Sequence, residues 1–194
     1  MSEIVVYHGA TQMVQTPLCK VRRPNLDFGQ GFYLTPDKDF TFRWAGKDSI
    51  VNEYELNLSG LDVMSFTRSL EWFQYIFDNR RTVDSLSADV IIGPIANDTI
   101  YDTLGILSSG YLSSEEALQL LLIGPEYIQV AVKSERALSK LRWMDKYVIS
   151  ENEEMSLLLQ EEQENYQDRK SIKKVVLFEL LFILGGIGYA KEKL

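Results

Sequence analysis

The nine-residue segment from Asp27 to Thr35 constrains the fold of this chain most strongly, because two glycines lead directly into strand-forming residues. Gly29 and Gly31 flank a single glutamine. Glycine permits a positive φ and a close approach of other backbone or ligand atoms, so the pair predicts a tight turn. The residues from Phe32 to Thr35 are β-formers with one leucine, and they predict a strand rather than a helix.

This context excludes two common phosphate-binding loops. The dinucleotide-binding turn of Rossmann folds and the P-loop both place glycines at the start of a helix, whose N–H groups hold the phosphate. Here a strand follows the glycines, and the segment has no third glycine and no Lys-Ser/Thr pair. A β-bulge or a hairpin in an ordinary sheet is the alternative interpretation of the glycine pair.

The single histidine of the chain, His8, ends an apolar strand that begins at Ile4. Because side chains alternate along a strand, His8 lies on the same face as Ile4 and Val6. Gly9 follows at once, so the imidazole at the strand end can face a ligand. The alternative is a partly buried histidine that is hydrogen-bonded to a backbone carbonyl.

Several chemistries are poorly supported by the composition. The only cysteine, Cys19, lies in a loop-like stretch, and no Gly-x-Ser-x-Gly elbow is present, which argues against a nucleophilic triad. One histidine and one cysteine show no metal-like spacing, so we expect no metal. A lone cysteine and an N-terminus without a basic region indicate a cytoplasmic protein. The net charge of −8 gives no support for bulk nucleic-acid binding.

The motifs, taken in order, carry a resemblance to known families. They are Tyr7-His8-Gly9, Asp27 to Thr35, Trp44-Ala45, Asn79-Arg80, Asp89 to Pro94, and Gln129 before Val130 to Lys133. The first two resemble the NAD-binding half of ADP-ribosyltransferases of the diphtheria-toxin and poly(ADP-ribose) polymerase type. The whole order, from about Ile4 to Leu141, is similar to a toxin-like bacterial family of unknown function.

The resemblance implies NAD as the ADP-ribose donor and a role for each matching residue. His8 corresponds to the histidine that binds the adenosine-side ribose, and Gly9 to the glycine whose backbone contacts the nicotinamide carboxamide. Tyr33 corresponds to the tyrosine that stacks on nicotinamide. Gln129 takes the place of the glutamate that binds the 2′-hydroxyl of the nicotinamide ribose. We expect the imidazole and the phenol to line one cleft.

Further residues are expected to contact the dinucleotide with less specific support. Gly31, Phe32 and Thr35 surround Tyr33 in the same motif. Arg23 suits a pyrophosphate because a guanidinium bonds two oxygens at once, although a solvated loop charge explains it equally well.

Gln129 bears on how active the site can be. Breaking the nicotinamide glycosidic bond develops positive charge on the ribose, and glutamine can accept a hydroxyl proton but carries no charge. Glu126 lies three residues earlier, and strand alternation places it on the opposite face. The toxin-like family that the chain resembles also has glutamine here, so the resemblance implies mono-ADP-ribosylation of a protein or nucleic-acid acceptor, in the setting of a toxin–antitoxin pair. The alternative is a weak or inactive module that binds NAD, ADP-ribose or a protein.

Strands and helices do not alternate regularly along the chain, which favours an α+β fold. The resemblance implies a split antiparallel β-sandwich with flanking helices. We expect this domain over residues 1–144, with one helix carrying the apolar stripe from Phe66 to Phe77, another from Ser113 to Leu122, and a helical turn from Glu135 to Leu141.

Residues 145–194 are expected to form a helical extension. Residues 145–168 contain eight acidic residues and one basic residue. The apolar run from Val175 to Ala190 is shorter than the roughly 20 residues of a membrane span and contains three glycines, so we expect no membrane span. We expect the extension to pack on the domain, on a second copy or on a neutralising antitoxin.

Overall fold

A computed structural model describes residues 2–19, 26–41, 49–80, 86–96 and 126–148, together with residues 113, 119, 163, 164 and 167. Within these residues the protein is α+β, as predicted, with seven strands and two helices. The elements are β1 Glu3–Ala10, β2 Phe32–Leu34, β3 Ile50–Asn57, β4 Val63–Ser65, α1 Leu70–Asn79, β5 Val90–Pro94, β6 Ile128–Val132, α2 Glu135–Leu138 and β7 Leu141–Val148.

The strands form two sheets. One has three antiparallel strands in the order β1-β3-β7. The other has the order β2-β6-β5-β4, in which only β4 and β5 are parallel. This mixed pairing differs from the all-parallel sheet of doubly wound proteins, where helical crossovers separate successive strands.

The two sheets bury apolar side chains against each other. Strand alternation sends the even-numbered residues of β1 and β3 to this interface, where they meet one face of the second sheet. The fully or nearly fully buried members are Val6, Phe32, Leu34, Tyr54, Leu56, Val90, Val130, Val132 and Ala137.

Helix α1 covers the opposite face of the four-stranded sheet. Ser69 caps it by accepting a hydrogen bond from the Trp72 N–H, so the helix starts at Leu70 rather than at Phe66 as the apolar stripe predicted. The Trp72 indole donates to the carbonyl of Pro94 at 3.1 Å and ties the helix to β5. This second core contains Phe28, Phe66, Trp72, Phe73, Tyr75, Ile76, Ile91, Ala96 and Ala131.

Among the described residues, one antiparallel backbone pair joins the two sheets. The Tyr7 N–H donates to the Thr35 carbonyl at 2.8 Å, and the Thr35 N–H donates to the Tyr7 carbonyl at 3.0 Å. Within the described part of the chain, no other backbone pair links β1 with β2. The edge strands of the two sheets therefore separate beyond Tyr7 and Thr35.

The C-terminal part of the domain differs from the expectation. The helix expected over Glu135 to Leu141 ends at Leu138, and β7 then pairs with β3. The boundary expected at residue 144 falls inside β7, because this strand continues to Val148. The expected helix from Ser113 to Leu122, the extension after β7 and the Trp44-Ala45 motif lie outside the described ranges.

Candidate functional site

His8 lies where β1 and β2 separate. Its Nδ1 bonds the main-chain carbonyl of Tyr33 at 2.7 Å, and its ring packs on Phe32 with 4.4 Å between centroids. The backbone-bonded histidine that the sequence left open as an alternative is thus present, and it joins the two motifs that were expected to form one site.

This contact fixes the form of the imidazole. A carbonyl only accepts hydrogen bonds, so Nδ1 carries the proton and Nε2 presents a lone pair. Burial lowers the pKa of His8, opposed by the hydrogen bond to Tyr33, which favours the charged ring. At neutral pH His8 is therefore uncharged. None of the described residues hydrogen-bonds its Nε2.

The peptide groups of Gly9 lie at the gap that opens between β1 and β2 beyond Tyr7 and Thr35. In an antiparallel strand, a residue directs both its N–H and its C=O to the same side, and alternate residues share that side. Tyr7 uses both groups toward Thr35, so Gly9, two residues later, also directs its N–H and C=O toward β2. Within the described ranges, no backbone group of β2 pairs with them. An amide-bearing ligand can be held by such a donor and acceptor.

Tyr33 is half-buried, and its phenol leaves β2 on the face opposite Phe32, toward α1. The hydroxyl donates to the Gly29 carbonyl at 2.7 Å and accepts from the Phe28 N–H at 3.0 Å. These two hydrogen bonds of the hydroxyl are therefore directed at the preceding turn. The imidazole contacts the main chain of Tyr33, but the imidazole and the phenol lie on different faces of β2.

The turn that holds Tyr33 is organised by the buried carboxylate of Asp27. Oδ1 accepts from Nε of Arg80 at 2.8 Å and from its Nη2 in a short ion pair. Oδ2 accepts from the Ala96 N–H at 3.0 Å and from Nε2 of Gln129 at 2.8 Å. The Asp27 carbonyl accepts from the Asn79 amide at 3.1 Å.

Gln129 shares the α1-facing side of the sheet with Tyr33, but it is 3% exposed and its amide nitrogen is bound to Asp27 and to the Pro94 carbonyl. The structure does not bring it to the imidazole. Glu126, just before β6, has a side chain 46% exposed that pairs with Arg68 at 3.5 Å. It is thus the more accessible acid at this end of β6.

The remaining predicted residues have structural contacts. Phe32 is buried between His8 and Tyr54, which it meets edge to face. Thr35 is fully buried, and its hydroxyl donates to the Ile128 carbonyl at 2.8 Å. A Cβ on Gly31 would lie 3.0 Å from the Val132 carbonyl oxygen, which explains the glycine by close packing. Arg23 lies outside the described ranges.

Sequence reasoning missed Asn52, which hydrogen-bonds the main chain of His8. Asn52 is fully buried in β3, and its amide nitrogen donates to the carbonyls of His8 at 3.4 Å and Gln12 at 3.3 Å. Its oxygen accepts from the Val14 N–H at 2.9 Å and the Trp143 indole at 3.3 Å. The available signal was one polar residue among the apolar residues of the even-numbered face of β3.

The described residues contain no group of three or more histidines, cysteines or acids placed to hold a metal ion. None of their helices is long and apolar enough to cross a membrane.

Comparison with curated proteins and with solved structures found no match. One family model matches residues 4–143, which include β1 from Ile4 onward, β2 to β6 and every site residue considered above. By this match the chain belongs to the DUF3990 family, described as a protein of unknown function.

Proposed function

We propose that the protein is an NAD-dependent mono-ADP-ribosyltransferase whose site lies between β1 and β2. The observation that supports this is the contact between His8 and the main chain of Tyr33, beside the inward-directed peptide groups of Gly9. Nε2 of the neutral imidazole accepts a hydrogen bond from a ribose hydroxyl. The N–H and C=O of Gly9 hold the carboxamide of nicotinamide, and a face of Tyr33 stacks on its ring.

The proposed reaction needs little from the protein beyond positioning. The bond between the ribose C1′ and the nicotinamide nitrogen breaks, and its electron pair leaves with neutral nicotinamide. The acceptor's nucleophilic atom then bonds C1′ and loses a proton. The intervening state resembles the oxocarbenium ion of glycoside hydrolysis, so orientation and hydrogen bonds to the ribose hydroxyls lower the barrier.

A second candidate is a module that binds NAD or ADP-ribose without turnover. The uncharged and buried Gln129 favours it, since its amide nitrogen is bound to Asp27 and it has no charge to offset the developing cation. If the protein does turn over NAD, Glu126 is an exposed acid just before β6 that can supply a negative charge, and its variant belongs in the same experiment.

The test is release of nicotinamide from labelled NAD by the purified full chain, together with NAD binding by calorimetry. For a transferase we expect release that Tyr33→Ala and His8→Ala reduce at least about tenfold, each removing one proposed contact. Lys146→Ala, on exposed β7, is the control and should change nothing. Gln129→Ala and Glu126→Gln then identify the residue that supports turnover.

Binding of NAD without release of nicotinamide in every preparation supports the module. A chain that does not bind NAD and does not release nicotinamide refutes both candidates. The acceptor and the toxin–antitoxin setting are tested together. Cells expressing the chain are analysed by mass spectrometry for added ADP-ribose on protein and nucleic acid, with Tyr33→Ala as the matched control.

A further inference from the structure

We infer that Asp27 is the positioning residue for the Tyr33 ring, acting through the turn from Asp27 to Gly29. This deepens the proposed function, on which its catalytic consequence rests. It also assigns a task to three features that the proposed chemistry leaves unused: the acid before the glycines, the Asn79-Arg80 pair and the buried Gln129.

The turn is short and is held at each of its residues. Gly29 has φ of 73°, and its N–H donates to the Leu26 carbonyl at 3.1 Å, which closes the turn. The Phe28 ring is fully buried, and the Phe28 carbonyl accepts from Lys133 Nζ at 2.8 Å. The Phe28 N–H and the Gly29 carbonyl both bond the Tyr33 hydroxyl. The turn is thus a clasp for the phenol.

The carboxylate of Asp27 connects this clasp to three separate parts of the fold. Arg80 follows α1, Ala96 follows β5, and Gln129 is in β6. Asp27 is 6% exposed, and the side chain of Arg80 is 9% exposed. A buried ion pair with further hydrogen bonds is costly to disrupt by removing one partner, because the other charge stays buried without compensation. The clasp is therefore fixed by the ion pair with Arg80 together with the hydrogen bonds from Ala96 and Gln129, and loss of any of these contacts is expected to loosen it.

The chain offers a control in Asp89, a buried carboxylate whose arginine partner has a side chain 59% exposed, against 9% for Arg80. This carboxylate is also buried, at 7% exposure, and also binds an arginine, Arg136, together with the Ser134 hydroxyl and the Asp62 N–H. It lies just before β5 and contacts neither the turn nor Tyr33. Replacing either aspartate with asparagine removes one buried charge from an arginine, but only Asp27→Asn loosens the clasp.

The first readout needs no NAD. Exchange of the Phe28 amide proton is followed by NMR in the full chain and divided by the exchange rate of Val130, a core amide of β6. In Asp27→Asn we expect this ratio to rise at least about tenfold, because the amide loses a fixed partner while the sheet persists. Asp89→Asn should leave the ratio unchanged, and Tyr33→Phe, which removes the acceptor, should raise it like Asp27→Asn.

If Asp27→Asn fails to fold, Gln129→Met takes its place, since it removes one donor to Asp27 and keeps the volume and the ion pair. An unchanged Phe28 ratio in the folded variant overturns the inference, as does an equal rise in Asp89→Asn.

The second readout is the KM for NAD. Since the proposed role of the ring is to bind nicotinamide, Asp27→Asn should raise KM several-fold, up to about tenfold, relative to Asp89→Asn. An unchanged KM with an increased exchange ratio overturns the catalytic consequence alone. If the wild-type chain neither binds nor cleaves NAD, the proposed function fails, while the exchange ratio still decides whether Asp27 fixes Tyr33.

Discussion

Asn52 is a fully buried polar residue that bonds the His8 strand, and its replacement tests the geometry described above. The orientation of its amide is fixed by its neighbours. The Val14 N–H and the Trp143 indole are both donors and must face the oxygen, so the nitrogen faces the carbonyls of His8 and Gln12. The substitution Asn52→Asp replaces that nitrogen with an oxygen, which changes the charge and the hydrogen bonding of the side chain without changing its volume.

The cost can be estimated from these contacts. Asn52→Ala leaves the Val14 N–H and the indole without their acceptor, and a buried polar group that loses its partner costs about 1–3 kcal/mol. The bond at 3.3 Å is the weaker one, so we expect a total of about 2–4 kcal/mol. With an m-value of about 2 kcal/mol/M, the urea midpoint falls by about 1–2 M.

Asn52→Asp should be the more damaging change at pH 7, because it places a carboxylate against two carbonyl oxygens in the core. Burial and these acceptors raise the pKa of the new carboxyl, since both disfavour its charged form. Its folded pKa then exceeds its unfolded pKa, so the variant regains stability as pH falls through the folded value. Urea unfolding at pH 7 and pH 5 measures this difference. A variant as stable as the wild type at pH 7 would refute the assigned hydrogen bonds.

Two further predictions test the histidine and the packing beneath the Asp27 turn. Burial lowers the pKa of His8 in the folded protein below its ordinary value of 6.5. At a pH below 6.5 the histidine of the unfolded chain therefore binds a proton that the folded chain does not bind. The folded state loses stability as the pH falls toward the folded pKa. Since His8 is the only histidine, His8→Gln should abolish this part of the slope in unfolding free energy between pH 7 and pH 5, and an unaltered slope would contradict the assignment. A Cβ on Gly93 would lie 3.0 Å from Phe28 Cζ and 3.1 Å from Phe66 Cβ, so Gly93→Ala should cost about 1–3 kcal/mol in urea unfolding. Adding Phe28→Leu, which lacks the clashing atom, should make the double variant less destabilised than the sum of the single variants, whereas simple additivity would exclude the clash.

The strands that the sequence predicted correctly are those with a local signal. β1 was predicted from its apolar residues and β2 from the strand formers after the glycine pair, so their existence needed no tertiary information. β7 was missed because it carries charged residues at its exposed positions and because a register shift between Glu53 and Tyr54 interrupts its pairing with β3. Three-residue β4 is too short to show a period at all.

The candidate site was predicted in part. The proximity of His8 and Tyr33 was expected from the resemblance, but the bond to the main chain of Tyr33 was open as an alternative and was not assigned. The contacts of Asp27 with Arg80 and Gln129 span 53 and 102 residues along the chain. Such pairs produce no periodic pattern in the sequence, because a buried hydrogen bond depends on where the backbone places two side chains in space rather than on their spacing along the chain.

The separation of the two sheets beyond Tyr7 and Thr35 leaves room for the candidate site. In an uninterrupted antiparallel ladder the next hydrogen-bonded pair would be Gly9 with Tyr33, two residues along each strand. The His8 imidazole instead donates to the Tyr33 carbonyl, the acceptor that the Gly9 N–H would otherwise use. One side chain thus satisfies β2 and leaves the peptide groups of Gly9 directed into the gap. A histidine followed by glycine at the end of an apolar strand therefore does two things: it stops the ladder, and it leaves a backbone donor and acceptor available to a ligand.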